Sequence, residues 1–201
     1  MSYFPRLTIL LIITNVVIFI WQLVSGALNS KEAIIAGGAL ERERLLSGEI
    51  WRLVTPMVLH GSIDHLIGNC LALYVLGMAC EHVLSLPQVG VIYLVSGICG
   101  SLLSVLAQPG PSVGASGAIF GLMAATVVFL YRYQKAFYVR DHRIGFVIAA
   151  WGLYTIATGF LTPYVDNFAH IGGAIGGAVA MWVQTPARLI TLQAIANPPQ
   201  T

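Results

Sequence analysis

Apolar stretches of close to twenty residues recur along the chain, separated by polar breaks, several of which contain proline or glycine. The stretches cover about 7–24, 64–84, 88–107, 114–132, 144–161 and 166–185. A helix rises about 1.5 Å per residue, so roughly 20 apolar residues cross a hydrocarbon core of about 30 Å. The pattern predicts an all-α membrane protein, a bundle of six transmembrane helices forming one domain over residues 1–201. Pro87 separates the second and third spans, Pro109-Gly110-Pro111-Ser112 breaks the chain before the fourth, and Thr162-Pro163 ends the fifth. One connection is long. Asn29 to Asp64 holds most of the acidic residues and the pair Trp51-Arg52, and its later part is rich in Leu, Val and Met. That composition predicts a first loop lying partly in the membrane interface.

Composition sharpens this picture. Hydrophobic residues make up 57% of the chain and charged residues 9%, whereas a soluble domain carries roughly a quarter of its residues as charges. A formal charge of +2 is too small to argue for nucleic acid. Cys70, Cys80 and Cys99 fall inside apolar stretches and read as buried, reduced small hydrophobes. The apolar run after Arg6 continues to Lys31, too long for a signal-peptide core, and reads as the first span. With no Arg-rich transit segment apparent, a prokaryotic plasma membrane is expected. Lys and Arg set the orientation. With the N-terminus in the cytoplasm, the inside carries Arg6, Arg132, Lys135, Arg140, Arg143 and Arg188, and the outside Lys31, Arg42, Arg44 and Arg52. Both termini are therefore expected to be cytoplasmic.

Polar residues inside spans are costly and by default functional candidates. Four matter: His65 and Asn69 in the second span, Ser116 in the fourth and His170 in the sixth. In an alternating bundle these three spans run the same way, and each residue sits in the first turn or two of its helix. All four therefore converge at similar depth near one face. His65 and Asn69, at i and i+4, share a helix face. Ser116 lies in Gly114-Ala115-Ser116-Gly117, at a helix mouth whose unpaired N–H groups and positive dipole end suit a developing oxyanion. His170 is the natural base for a serine that needs its proton taken. Small residues recur at Gly117, Gly121 and Ala125 and at Ala169, Gly173 and Gly177, stripes that let membrane helices approach closely. The fourth span also starts deep. Only 16 residues separate Ser116 from Arg132, roughly 24 Å of helix, so the preceding loop is expected to dip into the membrane, shielded by protein or a water-filled cavity.

Trp51-Arg52, His60, His65-x-x-x-Asn69, Gly114-Ala115-Ser116-Gly117 and Ala169-His170-x-x-Gly173-x-x-x-Gly177, in that order, resemble the pattern of the rhomboid family of intramembrane serine proteases. Each motif alone is weak, but their joint order on the right helices is specific. The resemblance implies Ser116 as nucleophile, His170 as general base, and Asn69, His65 and the Ser116 N–H as oxyanion donors. It implies cleavage of single-pass transmembrane substrates in or near their membrane segment, among lipid, with no metal or cofactor. Phe120 stands where some members have a tyrosine packing on the histidine; it keeps the ring and loses the hydroxyl.

Plainer readings stand beside these. Ser116 could be a packing residue, His170 an interhelical hydrogen bonder, Asn69 span glue, and His65 an interfacial partner of Asp64. His60 and Trp51-Arg52 read as structural, the Trp at the interface and the Arg holding loop carbonyls. Asp166, one turn before His170, reads as a helix N-cap rather than a third triad member. Glu81 reads as a cap or a snorkelling residue, and His82 and His142 as ordinary edge residues. No His/Cys/Asp/Glu grouping has metal-ligand spacing and no pair of intramembrane aspartates occurs, which argues against metallo- and aspartyl proteases. Two rival functions remain. An inactive rhomboid-like protein that binds transmembrane segments usually lacks the serine or histidine, and both are here. A transporter or channel would carry an inverted repeat or mid-bilayer charges, and neither is apparent. The fifth span, with Trp151, Phe160 and few small residues, is expected to be the loose wall through which substrate arrives. Natural substrate and oligomeric state are not legible.

Overall fold

The computed structural model describes residues 4–108, 110–133, 142–163 and 165–187. Pro109, Lys135, Arg140 and Arg188 lie outside them, as do the side chains of His142 and Arg143. The described residues form α1 (Arg6–Ser25), α2 (Lys31–Ala36), α3 (Arg42–Leu46), 3₁₀ turns at Ile50–Leu53 and Thr55–Val58, α4 (Ile63–Val83), α5 (Leu86–Ala107), α6 (Ser116–Tyr133), α7 (His142–Gly159) and α8 (Asn167–Val183). The protein is an all-helical membrane bundle. Its six long helices fall at the six predicted stretches, but among the described residues α1, α4, α5 and α6 alone are long and apolar enough to cross a membrane by length and composition. Ile144–Gly159 is the apolar stretch of α7 among the described residues, and α8 has 17 residues. α8 spends length on glycine, at Gly172, Gly173, Gly176 and Gly177, which serves packing rather than hydropathy.

α6 is the centre of the bundle, and α8 lies wedged between it and α5. A methyl group placed on Gly173 would strike the carbonyl of Gly117, and one on Gly177 the backbone of Gly121. The two predicted stripes thus meet backbone to backbone, in parallel register. A second glycine face, Gly172 and Gly176, packs on α5 at Cys99. Around this wedge the core fills with Leu73, Ile92, Leu122 and Met181, each fully buried. Large apolar residues such as Leu10, Val17, Leu71, Val75, Leu153 and Val179 point outward, the face a bundle turns to lipid. The three cysteines are free, Cys80 buried and the others partly so.

Polar side chains close the helix ends. Glu81, fully buried near the end of α4, accepts from the Thr8 N–H and hydroxyl, both at 2.6 Å, and from Leu7 N–H at 3.4 Å. It therefore caps α1, whose own N-cap position is Pro5 and supplies no side-chain bond. Arg132, on the last turn of α6, donates to the carbonyls of Met181, Trp182 and Gln184 and closes the C-terminus of α8. At the other end of α1, the Gln22 amide pairs with both backbone groups of His60, at 3.0 and 3.2 Å.

The first loop is built the same way. Arg52, 2% exposed, donates to the carbonyls of Ile35 and Ala39, both at 2.6 Å, pairs with Glu49 at 2.7 Å and lies over the Trp51 ring. Leu46 and Ile50, 78% and 71% exposed, and half-exposed Trp51 form an apolar edge suited to the interface. An antiparallel bridge between Leu40 and Ser112, two bonds of 2.9 Å, ties this loop to the one before α6. Arg42 reaches the Val105 carbonyl at the end of α5.

Removing the trans cap should loosen α1. Glu81→Ala is expected to lower stability in detergent by about 2 kcal/mol, the scale of a lost cap carrying charge-assisted bonds, and Glu81→Gln by clearly less. Thermal unfolding of the two variants beside wild type measures this; equal midpoints would mean the cap contributes nothing.

Candidate active site

Ser116 opens α6 and His170 sits in the first turn of α8, so the position of each depends on how its helix end is held. The glycine wedge brings the ends together: Ser116 Oγ lies 2.9 Å from His170 Nε2. Phe120, one turn after Ser116, stacks on the His170 ring with centroids 4.2 Å apart and planes 9° from parallel. His170 is 6% exposed, and its Nδ1 has no hydrogen-bond partner among the described residues. No carboxylate among the described residues hydrogen-bonds the ring. Asp166 caps α8 by accepting from Ala169 N–H at 2.9 Å, as expected, and turns its second oxygen to Ser104.

The other two polar candidates meet the chain at Gly114. This residue adopts φ +132°, a conformation that glycine alone takes readily, and its N–H donates to the Pro56 carbonyl at 2.9 Å. A methyl there would lie 2.6 Å from His65 Cε1 and 3.6 Å from Asn69 Nδ2. The backbone two residues before Ser116 thus runs directly under the His65 ring and the Asn69 amide. Asn69 is 7% exposed, and its amide nitrogen has no protein partner among the described residues, so a donor faces this region unengaged. His65 in turn meets His60 edge to face at 5.3 Å. Behind Gly114 and Gly117 is a cavity of about 20 Å³, walled in part by Ser101 and Ser112, enough for one water.

Gly117, Gly121, Gly173 and Gly177 all lie in the α6–α8 contact. Sequence reasoning missed the α5 side of the site. The Ala169 carbonyl is held between Gly100 and Gly117, whose added methyls would sit 2.7 and 3.1 Å from it. The signal was present, since Ser96-Gly97, Gly100-Ser101 and Ser104 form a third small-residue stripe at helical spacing.

Comparison with known proteins agrees with this architecture. The sequence profile of the rhomboid domain matches residues 47–187, and that match covers most of the chain. The chain belongs to the rhomboid family. It is 39% identical over 176 residues to the rhomboid protease GluP of Bacillus subtilis, covering 88% of this chain and 34% of that protein. Against the rhomboid protease AarA of Providencia stuartii it is 34% identical, covering 86% and 70%. The mitochondrial RHOMBOID-like protein 6 of Arabidopsis thaliana is 41% identical, over 70% of this chain and 46% of that one. This rhomboid chain thus spans a third to a half of the length of several of the relatives it matches.

His60 gives this rhomboid a predicted acid sensitivity. It lies just before α4, fully buried, and burial, with a smaller push from neighbouring His65, lowers its pKa from 6.5 to about 4. The unfolded chain takes up the proton near the ordinary value, and the folded protein does so only near 4. Stability should be full above about pH 6.5 and fall as the pH drops towards 4, by up to about 3 kcal/mol. Unfolding midpoints in detergent across that range should show the slope in wild type and a flatter one in His60→Leu. Parallel slopes would clear His60.

Proposed function

We propose that this rhomboid is an intramembrane serine endopeptidase that cleaves transmembrane proteins in or near their membrane segment through an acyl-enzyme on Ser116. The observation that carries the reading is the 2.9 Å contact between Ser116 Oγ and His170 Nε2 at the mouths of two parallel helices. His170 Nε2 takes the hydroxyl proton as Oγ bonds to the scissile carbonyl carbon. The oxygen that becomes negative is met by the Ser116 N–H at the start of α6, the Asn69 amide and His65, preorganised donors in a site largely closed to water. His170 then returns its proton to the departing amine as the C–N bond breaks. Water, deprotonated by the same nitrogen, releases the acyl group and restores the serine. Every step uses groups of this chain and water, and the water-sized cavity behind Gly117 lies within the same wall.

Substrate has to arrive sideways from the bilayer. α7 is the least embedded of the long helices: Gly152 and Gly159 are its only buried residues among those described, and Phe146, Val147, Leu153 and Tyr154 are largely exposed. Below the site, a cavity of about 350 Å³ lined by Cys80, Val83, Phe129 and Ile148 separates α4 from α7. The exposure of α7 supports passage of single-pass substrates between α4 and α7. The Lys/Arg bias supports cytoplasmic termini.

Fluorophosphonate probes test the reading without knowledge of a substrate, because the activated Oγ displaces fluoride from phosphorus and the proton goes to the base. Purified protein in detergent should label, and Ser116→Ala and His170→Ala should not, with fold checked by monodispersity. Asn69→Ala should label on the order of a hundredfold more slowly, the scale of one lost oxyanion donor. A well-folded wild type that stays unlabelled would turn the reading to an inactive binder of transmembrane segments, and labelling that survives Ser116→Ala would mean another serine reacts.

A further inference from the structure

A side chain in the first turn of a helix is only as well placed as the helix end, where the first N–H groups lack intrahelical partners and the chain frays. His170 is the fourth residue of α8. The glycine contacts fix how closely α8 approaches its neighbours. A floor without side chains, however, offers little resistance to a small rotation about the helix axis or a slide along it. Such a movement would carry Nε2 away from Oγ while leaving the packing intact. Something has to set the azimuth of the first turn.

Asp166 has both oxygens committed to that end. Oδ1 accepts from Ala169 N–H at 2.9 Å, within the first turn of α8, and Oδ2 accepts from the Ser104 hydroxyl at 2.5 Å, on the last turn of α5. Ser104 is 1% exposed, so water does not readily replace that bond. The Ala169 carbonyl, on the residue beside His170, is gripped between Gly100 of α5 and Gly117 of α6. One residue therefore has its N–H and its carbonyl each fixed by a different contact. The carboxylate makes no hydrogen bond to the imidazole, whose Nδ1 has no partner among the described residues, and it reaches the ring only through the field of its charge.

We infer that Asp166 is a positioning residue for His170 and Ser104 its anchor, a clamp between α5 and α8 that sets the rotation of the first turn of α8 and so the Ser116–His170 distance. This rests on the reading of Ser116 and His170 as the catalytic pair. The clamp works by geometry, so an amide at position 166 serves as well as a carboxylate: its oxygen can cap Ala169 and its NH₂ can donate to Ser104.

The experiment uses the full chain in detergent and reads two constants of fluorophosphonate labelling, the maximal rate at saturating probe and the half-saturating concentration, beside thermal unfolding. Ser104→Ala and Asp166→Ala should each lower the maximal rate roughly ten- to a hundredfold, the scale of a small misplacement of reacting groups. The half-saturating concentration should stay put. The double variant should be no slower than the slower single, as for two parts of one device, and Asp166→Asn should stay within about threefold of wild type. Maximal rates equal to wild type would overturn the clamp even if unfolding temperatures fall, since that is what a purely structural pair does. Asp166→Asn falling as far as Asp166→Ala would overturn it in favour of the charge. An unlabelled wild type would overturn the reading of Ser116 and the clamp with it, whereas a reactive wild type matched by its variants removes the clamp alone.

Discussion

Two helices in hydrocarbon gain little from apolar contact, because lipid chains are as apolar as leucine, so their association rests on close packing and on what polar bonds that packing permits. α8 meets this constraint with paired glycines one turn apart, at 172–173 and 176–177. Adjacent residues point about 100° apart on a helix, so the pairs make two bare faces rather than one. Gly173 and Gly177 lie against α6, and Gly172 and Gly176 against α5. With backbones this close, the short reach of a serine and a histidine bridges the gap between helices. Any larger residue on either face would separate them by more than a hydrogen bond tolerates.

The irregular half of the molecule answers a second demand of the same solvent. Backbone outside regular helix is tolerated at depth only when its polar groups are met by protein. Here the partners are side chains with several donors, or with a donor and an acceptor together. Arg52 serves two carbonyls, Gln22 pairs with both groups of His60, and the Leu40–Ser112 bridge pairs loop with loop. These ties run from α1 through the first loop to Gly114, directly beneath His65 and Asn69. The first loop is thus a brace for the segment that delivers Ser116.

Much of this was legible in the sequence because a membrane makes polar residues conspicuous. Ser116, His170, Asn69 and His65 stand out against long apolar stretches, and helix direction brings them to one level. Their grouping around Gly114 and the wedge follows those expectations, as does Arg52 holding carbonyls. What stayed illegible is pairing across helices. Glu81 was readable as a cap but not as the cap of α1, because its partner lies 73 residues away. Ser104 looked like one more small residue, and nothing local announces that its hydroxyl meets Asp166. Span count blurred because two of the six long helices fall short: α8 has 17 residues, and the apolar stretch of α7 is Ile144–Gly159.

The position of α8 in the chain has a bearing on biogenesis. Ser116 is synthesised well before His170, and the histidine reaches it only when α8 slots between two helices already made. Until then the Ser116 hydroxyl lacks its contact with His170. On the proposed reading, the Ser116–His170 contact forms only once α8 has slotted between α5 and α6.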